Sequence, residues 1–363
     1  MRIVFVSYNY SPDIRSPREW IERIKFYTGW SEVLAKAHTV IRVDQINYEG
    51  VFYHNEVQYC CVDAGKKNNY LPRKLHRRIR NLKPDVVIVS SFMFPLQVIQ
   101  LRVCLGSSVK IIVQHHAEKP FSGIKKIVQR FASRLVDLYL FVSKETGAYW
   151  VNNNNLVSEN KIREFPEVSS GFYPVDKISS REVTRISGSP AFIWVGRLNQ
   201  NKDPVLAVKT FLQFAESQLQ ARLYVIYHTA ELLVEITSLL PGNTKDCPVL
   251  LIGKIPHDEL LYWFNSADFY LSASHYEGSG TALCEAMSCG CLPVVTNIPS
   301  FRTMLGGCGL LFEPGNEESL LSALTQTSDL PVENKKQEVL KRFESELSFS
   351  AIAGKFQKIL DSF

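Results

Sequence analysis

The chain has 363 residues, 45% of them apolar and 21% charged, a globular balance that excludes disordered and fibrous classes. At about 100–200 residues per domain this length predicts two domains, each able to bury its own core, and no stretch approaches the ~20 apolar residues of a membrane span. Charge is unevenly divided: residues 1–175 hold 25 Lys+Arg against 15 Asp+Glu, a net +10, while residues 176–363 hold 16 against 21, a net −5. A basic first half predicts an anionic partner, with phospholipid, nucleic acid and an anionic acceptor all open at this point.

In chain order, short apolar runs alternate with amphipathic stretches. Met1-Arg2-Ile3-Val4-Phe5-Val6-Ser7 reads as a buried strand, because a secretory leader needs a longer apolar region and a small-residue cleavage site. Further strands are expected at Val40–Asp44, Val86–Ser90, Lys110–His115 and Leu138–Val142. Helices are expected between them, at Glu19–Lys36 and at Leu71–Leu82 with Leu71, Leu75, Ile79 and Leu82 on one face. After a Pro- and Ser-rich passage, Pro174–Pro190, the pattern restarts with strands at Ala191–Val195, Leu223–Tyr227, Val249–Ile252, Phe269–Ser272 and Leu292–Val295. The alternation predicts parallel sheets with helices on both faces, and the restart predicts two doubly wound, Rossmann-like units. Cys60 and Cys61 are adjacent and Cys289 and Cys291 are one residue apart. Neither spacing suits a disulfide or a zinc knuckle, so reduced, buried thiols in a cytoplasmic protein are expected.

Open parallel sheets bind ligands beyond the carboxyl ends of their strands. Three features lie there. Val195-Gly196-Arg197-Leu198-Asn199-Gln200-Asn201-Lys202 sets an Arg and a Lys five residues apart after a strand, which suits a doubly charged group such as a diphosphate as well as an ordinary solvated loop. Glu277-Gly278-Ser279-Gly280-Thr281-Ala282-Leu283-Cys284-Glu285 runs from a strand through a glycine loop into a helix that stops near Gly290. Its backbone N–H groups and helix dipole form an anion site, while Glu285, one turn in, can accept from sugar hydroxyls. Glu277 stands at the loop's mouth. His115-His116 ends a first-half strand; either ring can donate to a phosphate or sugar, and either can be a satisfied core histidine.

These residues resemble the family-four glycosyltransferases of the GT-B fold. The resemblance rests on Gly196-Arg197-Leu198 with Lys202 and on Glu277-x7-Glu285 with its glycine loop. It continues through Leu251–Gly253, Asp258-Glu259-Leu260, Ala267-Asp268, Glu285–Val295 and Gly309-Leu310-Leu311-Phe312, covering residues 190–320 closely and the first half loosely. It implies two Rossmann-like domains facing across a cleft: 1–175 on the acceptor side, 176–346 for the nucleotide sugar, and 347–363 as a helix crossing back to the first. It implies a retaining, hexosyltransferase-type enzyme that takes a sugar from a UDP- or GDP-linked donor to a glycan or lipid-linked acceptor in cell-surface polysaccharide or glycolipid synthesis. By position, Arg197 and Lys202 would hold the diphosphate, Glu285 the ribose hydroxyls, and Gly278, Ser279, Gly280 and Thr281 the phosphate or sugar. Glu277 would lie beside the transferred sugar, Gly196 would shape the turn, and Lys254 and Ile255 would seat the base. His116, with His115 as the alternative, would match the family's histidine. No metal or other cofactor is expected, since Arg197, Lys202 and the helix N-terminus can stabilise the leaving diphosphate and the sequence contains no Asp-x-Asp pair.

The sequence departs from the family in three places. Pro12-Asp13-Ile14-Arg15-Ser16-Pro17-Arg18 replaces a glycine-bearing first loop, Pro166-Glu167-Val168 replaces Pro-Asn-Gly, and His228-Thr229 replaces a Gly-x-Gly. The altered first loop sustains a competing reading, a non-catalytic GT-B-like protein that binds a nucleotide sugar or a partner; another GT-B enzyme, such as a nucleotide-sugar epimerase, is the rival among enzymes. In the basic half, Phe121–Arg134 places Ile124, Ile127, Val128 and Phe131 on one helical face among Lys125, Lys126, Arg130 and Arg134. That face can pack on the sheet. It can also, with Arg73, Lys74, Arg77, Arg78 and Arg80, meet an anionic leaflet, placing the protein at the inner face of the membrane. Nucleic acid is not expected, because no aromatic residues interleave the basic runs and no recognition motif is present.

Overall fold

A computed structural model describes residues 1–63, 70–242 and 247–363. The chain divides into two compact units: Met1–Ser169 together with Phe349–Phe363, and Ser170–Ser348.

The first unit is built on an eight-stranded sheet of β1 (Arg2–Ser11), β2 (Thr39–Ile46), β3 (Gly50–His54), β4 (Val57–Val62), β5 (Val86–Ser90), β6 (Lys110–Gln114), β7 (Leu138–Phe141) and β8 (Ile162–Glu164), in the order β3-β4-β2-β1-β5-β6-β7-β8. All neighbouring pairs are parallel except β3 with β4. Both faces are covered, so successive side chains of one strand enter two different cores. Ile3 and Phe5 of β1, with Val86 and Ile88 of β5, join one core; Val4, Val6 and Tyr8, with Val87 and Val89, join the other. Trp30 of helix Pro17–Ala35 and Phe356 of helix Phe349–Leu360 meet in the first core, ring centroids 5.2 Å apart. Gly29 admits this closing helix, since a Cβ there would lie 2.6 Å from the Phe349 ring.

The second core lies under helices Arg73–Asn81, Pro95–Leu105 and Gly123–Arg134. Leu75 and Ile79 are buried beneath the first of these, as their spacing predicts, but Leu71 precedes the helix and is exposed. Pro72 at the N-cap explains the late start: proline's fixed φ and missing N–H suit a helix start, and the residue before it is pushed out of the helical region.

The second unit carries a six-stranded parallel sheet: β9 (Ala191–Gly196), β10 (Arg222–Tyr227), β11 (Val249–Gly253), β12 (Phe269–Ser272), β13 (Leu292–Thr296) and β14 (Leu310–Phe312), ordered β11-β10-β9-β12-β13-β14. Phe192 of β9 stacks on Phe269 of β12 at 4.9 Å and meets Phe211 of helix Pro204–Ser217 edge-on at 5.2 Å. The chain runs outward from β9 to β11, then returns to place β12 on the other side of β9. That reversal opens a crevice at the carboxyl ends of β9 and β12, where sheets of this kind receive ligands. All eight cysteines are unpaired, and burial pushes the thiols of Cys284 and Cys291 upward, so they stay protonated.

Candidate active site

In the second unit, the two loops that leave β9 and β12 are stitched together. Asn201 donates its side-chain amide to the Tyr276 carbonyl at 2.9 Å, and the His275 N–H donates to the Asn201 carbonyl at 2.8 Å. His275 Nε2 lies 2.9 Å from Asp203 Oδ2, while Asp203 Oδ1 accepts from the Leu206 N–H and caps helix Pro204–Ser217. From the neighbouring strand, Thr229 Oγ1 accepts the Leu198 N–H at 2.8 Å. Thr229, in the stretch where the resemblance led to an expected Gly-x-Gly, therefore braces the Arg–Lys loop.

This stitching brings Lys202 and Glu277 into an ion pair, with the side chains 22% and 13% exposed. The lysine expected to face a diphosphate and the glutamate expected beside a sugar thus neutralise one another. Arg197 is exposed at the same loop and has no ion-pair or side-chain hydrogen-bond partner among the described residues. Of the two cations in this loop, it is the one left without a carboxylate.

Beyond Glu277, Gly278 and Ser279 are buried, and Gly280 has φ +69 as N-cap of helix Thr281–Ser288. A Cβ at Gly280 would lie 2.6 Å from Phe301 Cε1, so the position requires glycine for both conformation and space. Its N-cap residue is a glycine and supplies no side-chain cap, so the helix's first backbone N–H groups, with the positive end of the helix dipole, suit an anion.

Glu285, one turn inside, is 3% exposed, and its Oε1 lies 2.6 Å from Nε2 of His257. The His257 ring is itself stacked on Phe172 at 5.2 Å. Sequence reading missed His257, although it falls just past β11 in the loop assigned to the base. In that loop Gly253 has φ +82, Lys254 is exposed and Ile255 half-buried. The contact that gives His257 its role spans 28 residues, and no local pattern announces it. Gly196, Arg197, Lys202, Glu277, Gly278, Ser279, Gly280, Thr281 and Glu285 all gather at the β9/β12 crevice. Lys254 and Ile255 follow β11, at the edge of the same sheet.

In the first unit the two histidines at the end of β6 separate. His115 is 2% exposed, stacked on Phe141 at 4.7 Å with Phe92 and Trp150 around it, and its Nε2 lies 3.0 Å from the Glu118 carbonyl. Burial pushes its pKa down, and it is a core residue. His116 is different: its Nδ1 is bonded to Glu167, and its buried Nε2 has no partner among the described residues. Burial of the ring opposes its charged form, yet Glu167 and then Glu118 outweigh this and hold its pKa above the ordinary value. Glu118 also accepts the His116 N–H at 2.7 Å, fixing the turn that carries the ring. Glu167, read from sequence only as a departure, is 4% exposed and fixes the orientation of the His116 ring through its bond to Nδ1.

Residues 176–343 match the family described as glycosyl transferases group 1. Among curated relatives, O-antigen chain mannosyltransferase B of Escherichia coli is 29% identical over 89 residues, 24% of this chain and 23% of that protein. The matched stretches span between 23% and 52% of the lengths of such relatives. Among solved structures, sucrose-phosphate synthase from Thermosynechococcus elongatus superposes with a TM-score of 0.73 at 16% identity, covering 99% of this chain and 98% of that one. HepE of Anabaena, solved with UDP and glucose, gives a TM-score of 0.70 at 14% identity over the whole of both chains.

Proposed function

We propose that this chain, whose residues 176–343 belong to the glycosyl transferases group 1 family and whose fold is GT-B, moves a sugar from a UDP- or GDP-linked donor to a glycan or lipid-linked acceptor. The observation that carries this reading is the crevice between β9 and β12. There a free guanidinium (Arg197) from one loop meets a glycine-capped helix N-terminus beyond Gly280 and, one turn into that helix, a buried carboxylate (Glu285). The first two suit a diphosphate, and a fixed carboxylate suits a pair of ribose hydroxyls.

In the transfer, the bond between the anomeric carbon and the diphosphate breaks and the acceptor oxygen bonds to that carbon on the same face. The acceptor's proton passes to the departing phosphate oxygen. Charge develops on the diphosphate, and groups already aimed at it lower the barrier without reorganising. Arg197 and the helix N–H groups are placed for this. Lys202 can join them by exchanging Glu277 for phosphate, which would free Glu277 to accept from a sugar hydroxyl. The O-antigen relative supports an acceptor belonging to cell-surface polysaccharide.

Calorimetric titration of the metal-free protein with UDP, GDP and ADP tests the reading. One diphosphate should bind selectively, and Arg197→Ala should weaken it by roughly 10- to 100-fold, the worth of one charge-assisted hydrogen bond. Failure of all three to bind, or an unchanged affinity in Arg197→Ala, would overturn the assignment. Binding without any turnover of the matching nucleotide sugars would leave a nucleotide-sugar binder in place of an enzyme.

A further inference from the structure

We propose that the outer face of helices Arg73–Asn81, Pro95–Leu105 and Gly123–Arg134 is a docking surface for an anionic lipid bilayer, independent of the transfer reaction. The three helices lie side by side over one core of the first unit, the middle one packing against both others. The last helix is turned opposite to the simplest packing. Its interior side is Gln129, Ala132 and Ser133, while Ile124, Ile127 and Phe131 are 81%, 68% and 50% exposed.

A specific contact holds it that way. The buried Gln129 amide donates to the Phe92 carbonyl at 3.0 Å and accepts from the Phe121 N–H and from Asn155. Ile124, Ile127 and Phe131, at positions i, i+3 and i+7, form a single outward stripe. Val103, on the adjoining helix, is 80% exposed. Three apolar side chains aligned on one exposed helical face, with Val103 exposed on the helix packed beside it, differ from scattered surface hydrophobics.

Charge selects the partner. These three helices contain no Asp or Glu in any of their sequences. Arg78 is paired with Glu49 and Arg102 with Asp137, but Arg73, Lys74, Arg77, Arg80, Lys125 and Arg134 are all exposed, and Lys126 is half-buried beside them. A second copy of the chain would bring like charges together. Nucleic acid would use the cations and leave most of the apolar stripe in water. An anionic leaflet takes both: headgroups meet the cations and the stripe enters the boundary with the acyl chains.

The test is co-sedimentation of the whole protein with vesicles of phosphatidylcholine alone and of phosphatidylcholine mixed with phosphatidylglycerol. The protein should partition onto the mixed vesicles only. Lys125→Gln with Lys126→Gln should weaken partitioning by about fivefold for each cation removed. Ile124→Ser with Ile127→Ser and Phe131→Ser should remove the part that survives high salt. Lys144→Gln, an exposed cation on another helix, should change nothing. All substituted positions are exposed except the half-buried Lys126, and an unaltered circular dichroism melt verifies the fold. Absence of binding to the mixed vesicles, or equal loss in Lys144→Gln, would overturn the proposal. So would full vesicle affinity in the serine variant, or a dimer that the serine variant dissolves.

Discussion

Replacing Glu167 with Gln isolates what the buried carboxylate does for His116. The side chains are 6% and 25% exposed, so solvent screens the pair weakly. Gln keeps the shape and an acceptor for Nδ1–H but removes the charge that most favours the imidazolium. Burial, the largest influence on this ring, is then opposed chiefly by Glu118. The titration of His116 should move to lower pH in the variant. Stability follows with a definite sign. A histidine whose folded value is raised contributes stability fully below its unfolded value of 6.5 and loses it as pH rises through the folded value. Glu167→Gln should therefore cost about 1.5–3 kcal/mol at acid pH, the worth of a hydrogen bond to a charged group, and progressively less as pH rises past the wild-type titration. Urea unfolding across a pH series, with NMR titration of the His116 ring in both proteins, measures each quantity. An unmoved or upward-shifted His116 titration in the variant would refute the reasoning, as would a stability cost independent of pH.

Gly280→Ala forces a Cβ to 2.6 Å from Phe301 at φ +69, and should destabilise by at least about 1–3 kcal/mol; Gly171→Ala, with nothing within 4 Å, should be silent in the same thermal melt. His257→Ala removes the 2.6 Å contact to the buried Glu285. It should cost about 1–3 kcal/mol, read as several degrees in the melting temperature, and should raise the dissociation constant for the nucleotide diphosphate by calorimetry. A melt superimposable on wild type would show that His257 does not hold the carboxylate.

Much of the architecture is legible because a parallel strand buried on both faces is written as a continuous apolar run, and ten such runs mark ten strands. The strands that escape do so for identifiable reasons. β3 and β4 are joined by Asn55 and Glu56, both at positive φ, but Glu gives no sign of the left-handed turn that a glycine would have announced. β8 and β14 have three residues each, too few to show a period. The site divides in the same way. Loop glycines and the charges beside them are local signals, so the β9 and β12 loops can be read directly. Side-chain partnership is not local: Glu167 finds His116 across 51 residues and His257 finds Glu285 across 28. The orientation of helix Gly123–Arg134 was equally hidden. Its spacing names an apolar face, and a satisfied Gln129 sends that face outward.

The closing helix places a constraint on synthesis. Ile352, Phe356 and Leu360 share a core with Phe5, Trp30 and Phe165, so a growing chain cannot complete the first unit until all of Ser170–Ser348 has left the ribosome. The unit begun first is finished second. Until then Trp30 and Phe165 lack the Phe356 ring that packs on both, a stretch of time in which chaperones would have to guard the apolar surface left open.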